Sequence, residues 1–175
     1  MTESARVYDL DGTLVRLDVD WRDAERSLRA AIRATSVEAD ADGAGVWELF
    51  DVAQEYGVLD AVEGAVAPHE VRGAQTAERL PTADELADLT VPVAVCSLNC
   101  EEACRTALER HDLLDEVAAI VGRDSVPYRK PHPEPLLAAI RAIDADPEET
   151  LFVGDSESDE HTAERAGTAF RYVEH

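Results

Sequence analysis

A single lysine, Lys130, stands among the 16 lysine and arginine residues of this chain. Every other cation is an arginine, so this position calls for something arginine does not offer. Lysine is a compact point charge with three rotatable donors, able to sit between crowded anions where a planar fork would not fit. The surrounding Arg129-Lys130-Pro131-His132-Pro133-Glu134-Pro135 reads as a loop that opens a helix. Two carboxylate clusters could supply the anions. Asp9 and Asp11 follow the apolar Val7-Tyr8 and run into Gly12-Thr13-Leu14. Extended residues two apart share a face, so both carboxylates can address one substrate, and Gly12 permits a tight turn after them. The second cluster, Gly154-Asp155-Ser156-Glu157-Ser158-Asp159, ends another apolar run. Like charges gathered there raise one another's pKa unless a cation joins them, and Mg²⁺ is a hard ion that takes carboxylates, water and phosphate oxygens. A solvated loop with an N-cap is the other reading of that cluster. Ser97, in Val95-Cys96-Ser97-Leu98-Asn99, sets a hydroxyl just before a helix start, where free N–H groups and the helix dipole favour a phosphate. Read singly, Ser97 is a turn residue or cap.

Asp-x-Asp by itself carries little weight in so acidic a chain, since it recurs at Asp18/Asp20, Asp40/Asp42 and Asp144/Asp146. The first pair differs by its place at the carboxyl end of a predicted strand, where open α/β sheets bind ligands. Short apolar runs predict strands at 7–8, 91–96, 118–121, 150–153 and 170–173. Helices are predicted at 99–110, with Asn99 as N-cap and Glu102 completing a capping box, and at 133–143, where Leu136, Leu137, Ile140 and Ile143 recur at helical spacing. Strand alternating with helix from residue 82 onward predicts a parallel α/β sheet.

Residues 16–80 break that rhythm. Trp21, Ala24, Leu28, Ala31 and Ile32 fall at helical steps, as do Trp47, Phe50, Ala53 and Tyr56. A third apolar series runs through Val62 and Val66, Pro68 precedes a fourth helix reaching Leu80, and no strand is expected. The segment 41–45 reads as an inter-helix loop. The chain thus divides into an α/β core of residues 1–15 and 81–175 and a helical insertion of residues 16–80.

The balance of 38 Asp and Glu against 16 Lys and Arg gives a net charge of −22, which repels nucleic-acid phosphates and anionic membranes. The hydrophobic fraction of 45% is that of a folded protein, so the acidity is spread over a surface. Such charge is tolerable where salt is abundant, the Debye length falling to roughly 3 Å at 1 M. Together with the near-absence of lysine, it resembles proteins of salt-accumulating, halophilic cytoplasms; an ordinary acidic protein is the plainer reading. The first residues have no apolar h-region and no stretch has the length of a membrane span, which predicts a cytoplasmic protein. Cys96, Cys100 and Cys104, spaced by four, fit neither a disulfide framework nor a zinc pair and read as buried small side chains.

Four pieces in this order resemble the haloacid dehalogenase-like superfamily: Asp9-Leu10-Asp11-Gly12-Thr13-Leu14, Ser97 after an apolar strand, Lys130-Pro131, and Gly154-Asp155-Ser156-Glu157-Ser158-Asp159. The resemblance covers nearly the whole chain outside residues 16–80. It implies a Rossmann-like parallel sheet of strand order 5-4-1-2-3 with the helical insertion as a C1-type cap. It further implies Asp9 as nucleophile, Asp11 as acid and base, and Ser97 and Lys130 as phosphate-binding residues. Mg²⁺ would be held by Asp9, the backbone carbonyl of Asp11, and Asp155, with Asp159 in support. Leu98 separates Ser97 from Asn99, where many members have the pair adjacent.

The expected function is hydrolysis of a small phosphorylated metabolite through an aspartyl-phosphate, with phosphoglycolate phosphatase-like enzymes the nearest resemblance and a sugar phosphate the other substrate class. Asp11 argues against dehalogenation, in which halide leaves without an acid, and a cap without lysine argues against phosphonatase chemistry. A phosphosugar mutase, or a non-catalytic phosphate-binding or phospho-receiver regulator, are the alternatives. A monomer and a weak dimer are equally compatible with the sequence.

Overall fold

The computed structural model describes residues 3–38 and 43–174. The loop residues Ala41 and Asp42, and the Asp40/Asp42 pair, lie outside the described residues. In chain order the elements are β1 (Ala5–Tyr8), β2 (Val15–Arg16), α1 (Trp21–Ala34), α2 (Val46–Glu55), α3 (Leu59–Gln75), β3 (Glu78–Arg79), β4 (Val93–Cys96), α4 (Glu101–Arg110), β5 (Ala119–Val121), α5 (Glu134–Ala142), β6 (Thr150–Gly154), α6 (Glu157–Ala166) and β7 (Ala169–Tyr172). Short 3₁₀ turns at Pro81–Asp88, Leu114–Glu116 and Pro147–Glu149 lead into strands or join helices to them.

The main sheet runs β7-β6-β1-β4-β5 with every neighbour parallel. Counted by its own five strands this is the order 5-4-1-2-3. The first strand is central because both its faces and both its edges are used. Val7 pairs with Ala94 and with Phe152, and Tyr8 with Val95 and with Val153. Successive residues alternate faces. Tyr8, Val95 and Val153 therefore join Leu108 and Cys104 of α4 in one buried layer, while Val7, Ala94 and Phe152 join Leu136 and Ile140 of α5 and Ala163 of α6 in the other. A parallel sheet covered on both faces explains why these strands read as continuous apolar runs and not as alternating ones. Cys96, Cys100 and Cys104 are buried free thiols within these layers. No described helix is long and apolar enough to cross a membrane.

Helices α1 to α3, which hold most of the expected insertion, share a small core of their own. Ala24, Leu28 and Ile32 of α1 meet Leu49 and Phe50 of α2 and Val62 and Val66 of α3. Two expectations are corrected here. Pro68 starts no fourth helix: it lies inside α3, which is continuous from Leu59 to Gln75. An interior proline costs about 3 kcal/mol, and the cost is offset because the two halves of α3 are anchored separately, Val62 and Val66 in the insertion's core, Ala67, Val71 and Ala74 in the core beside the sheet. Strand structure is also present at the ends of the insertion, where β2 and β3 pair antiparallel, Val15 with Arg79 and Arg16 with Glu78. Two residues per strand, mostly charged and exposed, are too short to show a period of two. A third correction concerns α4. It begins at Glu101 behind Cys100, with no side-chain cap, because the Asn99 amide is used elsewhere.

Because Leu28 packs only within the insertion's cluster, Leu28→Ala should cost about 2–5 kcal/mol locally. Amide exchange should quicken across α1 to α3 while β1 and β6 keep their protection. Equal loss of protection in both regions would contradict a separate cluster.

Candidate active site

The carboxyl end of β1 is where the chemistry-bearing residues converge. The Asp9 N–H donates to the Val153 carbonyl at 2.9 Å, extending the ladder one residue past the strand. The chain then turns sharply, the Thr13, Leu14 and Val15 amides all donating to the Leu10 carbonyl. Gly12 sits in this turn at φ +87°, and a Cβ there would fall 2.1 Å from Asp155 Oδ2. Both the backbone angle and the close approach of the second acidic cluster therefore require glycine.

Next to β1, β6 ends at Gly154 and α6 opens with a capping box. Ser156 Oγ accepts from the Asp159 amide at 3.2 Å and donates to Asp159 Oδ2 at 2.7 Å. This cap turns Asp159 Oδ1 toward Lys130, whose Nζ lies 2.5 Å away. The same ammonium donates to Asp9 Oδ1 at 2.8 Å and to the Cys96 carbonyl at 3.2 Å. Its three protons thus meet three acceptors, carried beyond or at the ends of β1, β4 and β6. Lys130 is only 5% exposed, so it is embedded in the site and not merely placed along its rim.

Asp9, Asp155 and Asp159 have carboxylate oxygens within 4.8 Å of one another. Three hard oxygen donors so close together fit a small divalent ion such as Mg²⁺. The Asp11 carboxylate stands outside this group. Its Oδ1 accepts from the Leu17 amide at 2.9 Å, while the residue lines the same pocket of about 170 Å³ together with Asn99, Ser156, Trp21 and Trp47. Ser97 is buried at the end of β4, its hydroxyl donating to Asn99 Oδ1 and accepting from the Asn99 amide, each at 3.1 Å. A larger cavity of about 500 Å³ adjoins this pocket across Trp47, Leu98 and Lys130. The smaller pocket is the one that holds the carboxylates.

Burial pushes the Asp9 carboxyl up to about 7 against the pull of Lys130, with the Asp159 and Asp155 charges adding to the rise. Burial also raises Asp11, opposed by its hydrogen bond from Leu17. Lys130 is held charged by Asp9 and Asp159, which together outweigh its own desolvation.

Sequence reasoning did not find Glu70 and Arg123, which form a fully buried ion pair behind the pocket. A glutamate in the middle of a helix and an arginine after a short strand carry no motif; the one available signal is that Glu70 falls eight residues after Val62 and four after Val66, on the apolar face of α3. Trp21 and Trp47 were read only as helical core positions, yet both line the pocket. Arg16, Arg72 and Arg79 line neither pocket; Arg16 pairs with Glu78, Arg79 with Asp84, and Arg72 meets His69.

A Rossmann-like parallel sheet whose central strand is followed by an aspartate paired with a buried lysine, beside two further carboxylates, places the chain among α/β proteins with an acidic site at the carboxyl end of the sheet. The family model for haloacid dehalogenase-like hydrolases matches residues 74–173. A phosphoglycolate phosphatase of Rhodospirillum rubrum is 31% identical over 93% of this chain and 76% of its own length. The chain belongs to the haloacid dehalogenase-like hydrolase family. A phosphoglycolate phosphatase of Cereibacter sphaeroides is 46% identical over 45% of this chain, a match that spans only 35% of that relative's length. Among solved structures, a haloacid dehalogenase-superfamily hydrolase of subfamily IA from Geobacter sulfurreducens superposes with a TM-score of 0.62 at 26% identity, covering 95% of this chain and 87% of that one. CbbY of Rhodobacter sphaeroides, solved with phosphate, shares the fold with a TM-score of 0.67 at 19% identity, covering 98% and 86%.

The raised Asp9 value sets a pH dependence. With Asp9 at about 7 in the folded protein and 3.8 as its ordinary value, the folded state holds the extra proton between the two. Metal-free stability from this group is therefore greatest at low pH and is lost as pH rises toward 7. A metal ligand must be deprotonated, so the thermal shift given by Mg²⁺ should be larger at about pH 8 than at about pH 5.5. Thermal melts at both values check this; an equal shift would contradict it.

Proposed function

We propose that this chain is a Mg²⁺-dependent phosphatase that hydrolyses a small phosphate monoester through an aspartyl-phosphate on Asp9. The observation that carries the reading is the Asp9–Lys130–Asp159 contact at the carboxyl end of the central strand, beside the Asp155 carboxylate. An Asp9 oxygen attacks phosphorus in line as the ester P–O bond breaks, and Asp11 gives its proton to the departing alkoxide. Burial shifts the Asp11 carboxyl upward, the direction that suits a proton donor. Asp11, now a base, takes a proton from water as that water attacks phosphorus, which frees Asp9 and inorganic phosphate. The Lys130 charge, held beside Asp9, opposes the negative charge that shifts during transfer, and Ser97 would turn its hydroxyl from Asn99 Oδ1 to a phosphoryl oxygen. Asp9, Asp155 and the Asp11 carbonyl would hold Mg²⁺, which supplies a further positive charge to the phosphoryl oxygens when bound. Both Asp159 oxygens already have donors, which suits that residue to holding Lys130 and supporting the metal ligands.

The pocket of about 170 Å³ suits a small ester, and the phosphoglycolate phosphatases among the relatives point to phosphoglycolate, with a sugar phosphate the other candidate. Residues 16–80 act as the cap over a core of residues 1–15 and 81–175, since Trp21 and Trp47 reach the pocket from the insertion. The acidic surface and three free thiols support a salt-rich, reducing cytoplasm as the place of action.

Asp9→Asn keeps the shape of the side chain and removes its nucleophilicity, so turnover should vanish while the melt is retained. Activity within about tenfold of wild type would remove Asp9 from its role. Asp11→Asn should be nearly as damaging toward an alkyl phosphate but milder toward an activated aryl phosphate, whose leaving group needs less protonation. Steady-state kinetics with the two substrate types separate these outcomes, and equal losses on both would argue against the acid assignment.

A further inference from the structure

Glu70, on α3, is 0% exposed, and its carboxylate accepts from four donors. Oε1 accepts from Arg123 Nη1 at 2.6 Å and from Asn99 Nδ2 at 3.2 Å. Oε2 accepts from Arg123 Nη2 at 2.9 Å and from the Cys100 amide at 3.3 Å. The remaining Asn99 groups face Ser97: Oδ1 takes the Ser97 hydroxyl proton, and the amide N–H donates back to Ser97 Oγ. Arg123 grips the same loop twice more, through Nη1 to the Leu98 carbonyl at 2.8 Å and through its backbone N–H to the Asn99 carbonyl at 2.9 Å. It also reaches into the insertion, paired with Glu63 at 2.8 Å and placed 4.7 Å from the Phe50 ring centroid.

A buried ion pair is weak support for stability, because a well-packed apolar pair of similar volume does as well, but it fixes geometry strictly. Half of Glu70's bonds go to the loop that carries Ser97, and the Asn99 side chain bridges the two, its Nδ2 on Glu70 and its Oδ1 on the Ser97 hydroxyl. We propose that Glu70 is a positioning residue, contributed by α3, that fixes Asn99 in the pocket wall and, through it, the Ser97 hydroxyl, which would turn its proton from Asn99 Oδ1 to a bound phosphoryl oxygen, with Arg123 holding Glu70 in place. This deepens the phosphatase reading and rests on it for its biological purpose.

The test is a double-mutant cycle read by calorimetric binding of inorganic phosphate in saturating Mg²⁺, using wild type, Glu70→Gln, Asn99→Ala and the double variant. Glu70→Gln should weaken phosphate binding about tenfold while Mg²⁺ binding alone changes by less than about twofold. In the Asn99→Ala background the same change should cost less than about twofold more, since its route to Ser97 is already gone. A purely structural Glu70 would lower the melting temperature and leave phosphate affinity below the melt unchanged, which overturns the proposal, as do losses that simply multiply. If Glu70→Gln does not fold, Arg123→Lys replaces it, keeping charge but losing the bidentate grip, with the same coupling expected. The cycle requires no turnover. A wild type that binds phosphate but does not hydrolyse an aryl phosphate would refute the phosphatase reading alone, whereas active wild type with multiplying losses would refute the positioning role alone. Wild type that binds no phosphate overturns both.

Discussion

One buried ammonium group holds this site together. Lys130 Nζ is placed by a loop between β5 and α5, and its three acceptors belong to three other segments: Asp9 after β1, the Cys96 carbonyl at the end of β4, and Asp159 in the first turn of α6. Removing a cation from water is costly, and only full satisfaction of its protons at short distance offsets that cost. The ends of the three central strands must therefore stay in register to within a few tenths of an ångström. The parallel pairings of β1 with β4 and with β6, and the apolar layers on both faces of the sheet, are what keep them so.

A second buried charge network lies behind the first and runs in the other direction. Arg123, Glu70 and Glu63 join the loops after β4 and β5 to α3, and α3 belongs both to the insertion's core and to the layer beside the sheet. The insertion is thus tied to the core by a helix with a foot in each, not by its two chain connections alone. Lys130 organises the carboxylates beyond the central strands, while Arg123 organises the loop that carries Ser97 and Asn99. Each network uses the cation its geometry needs, a point charge among three separate acceptors in one case and a planar fork between two carboxylates in the other.

Much of this was legible in the residues. The strand runs, the helix over 134–142 and the convergence of Asp9, Lys130, Asp155 and Asp159 follow from apolar runs ending in polar residues, which a two-sided parallel sheet forces to one edge. The lone lysine was readable because an arginine-rich background made it stand out. What escaped notice had no local signature. The Glu70–Arg123 pair is set by a contact between residues 53 apart in the chain, Pro68 was read as a break because tertiary anchoring of both halves of α3 is invisible locally, and Asn99 was read as a helix cap because its true partner lies on another helix. Burial of Lys130 adds what the sequence does not show: its side chain is part of the packed interior.

The central claim, that this position needs a compact cation, is tested most directly by Lys130→Arg. The change keeps the charge in a chain that uses arginine everywhere else. The account predicts that the wider fork cannot serve Asp9, Asp159 and the Cys96 carbonyl together, so kcat/KM for an aryl phosphate in molar KCl should fall at least about 100-fold, roughly 2.7 kcal/mol of transition-state stabilisation. The buried position predicts a lower melting temperature as well. A variant with near-normal kcat/KM would contradict the account and make the single lysine an accident of composition.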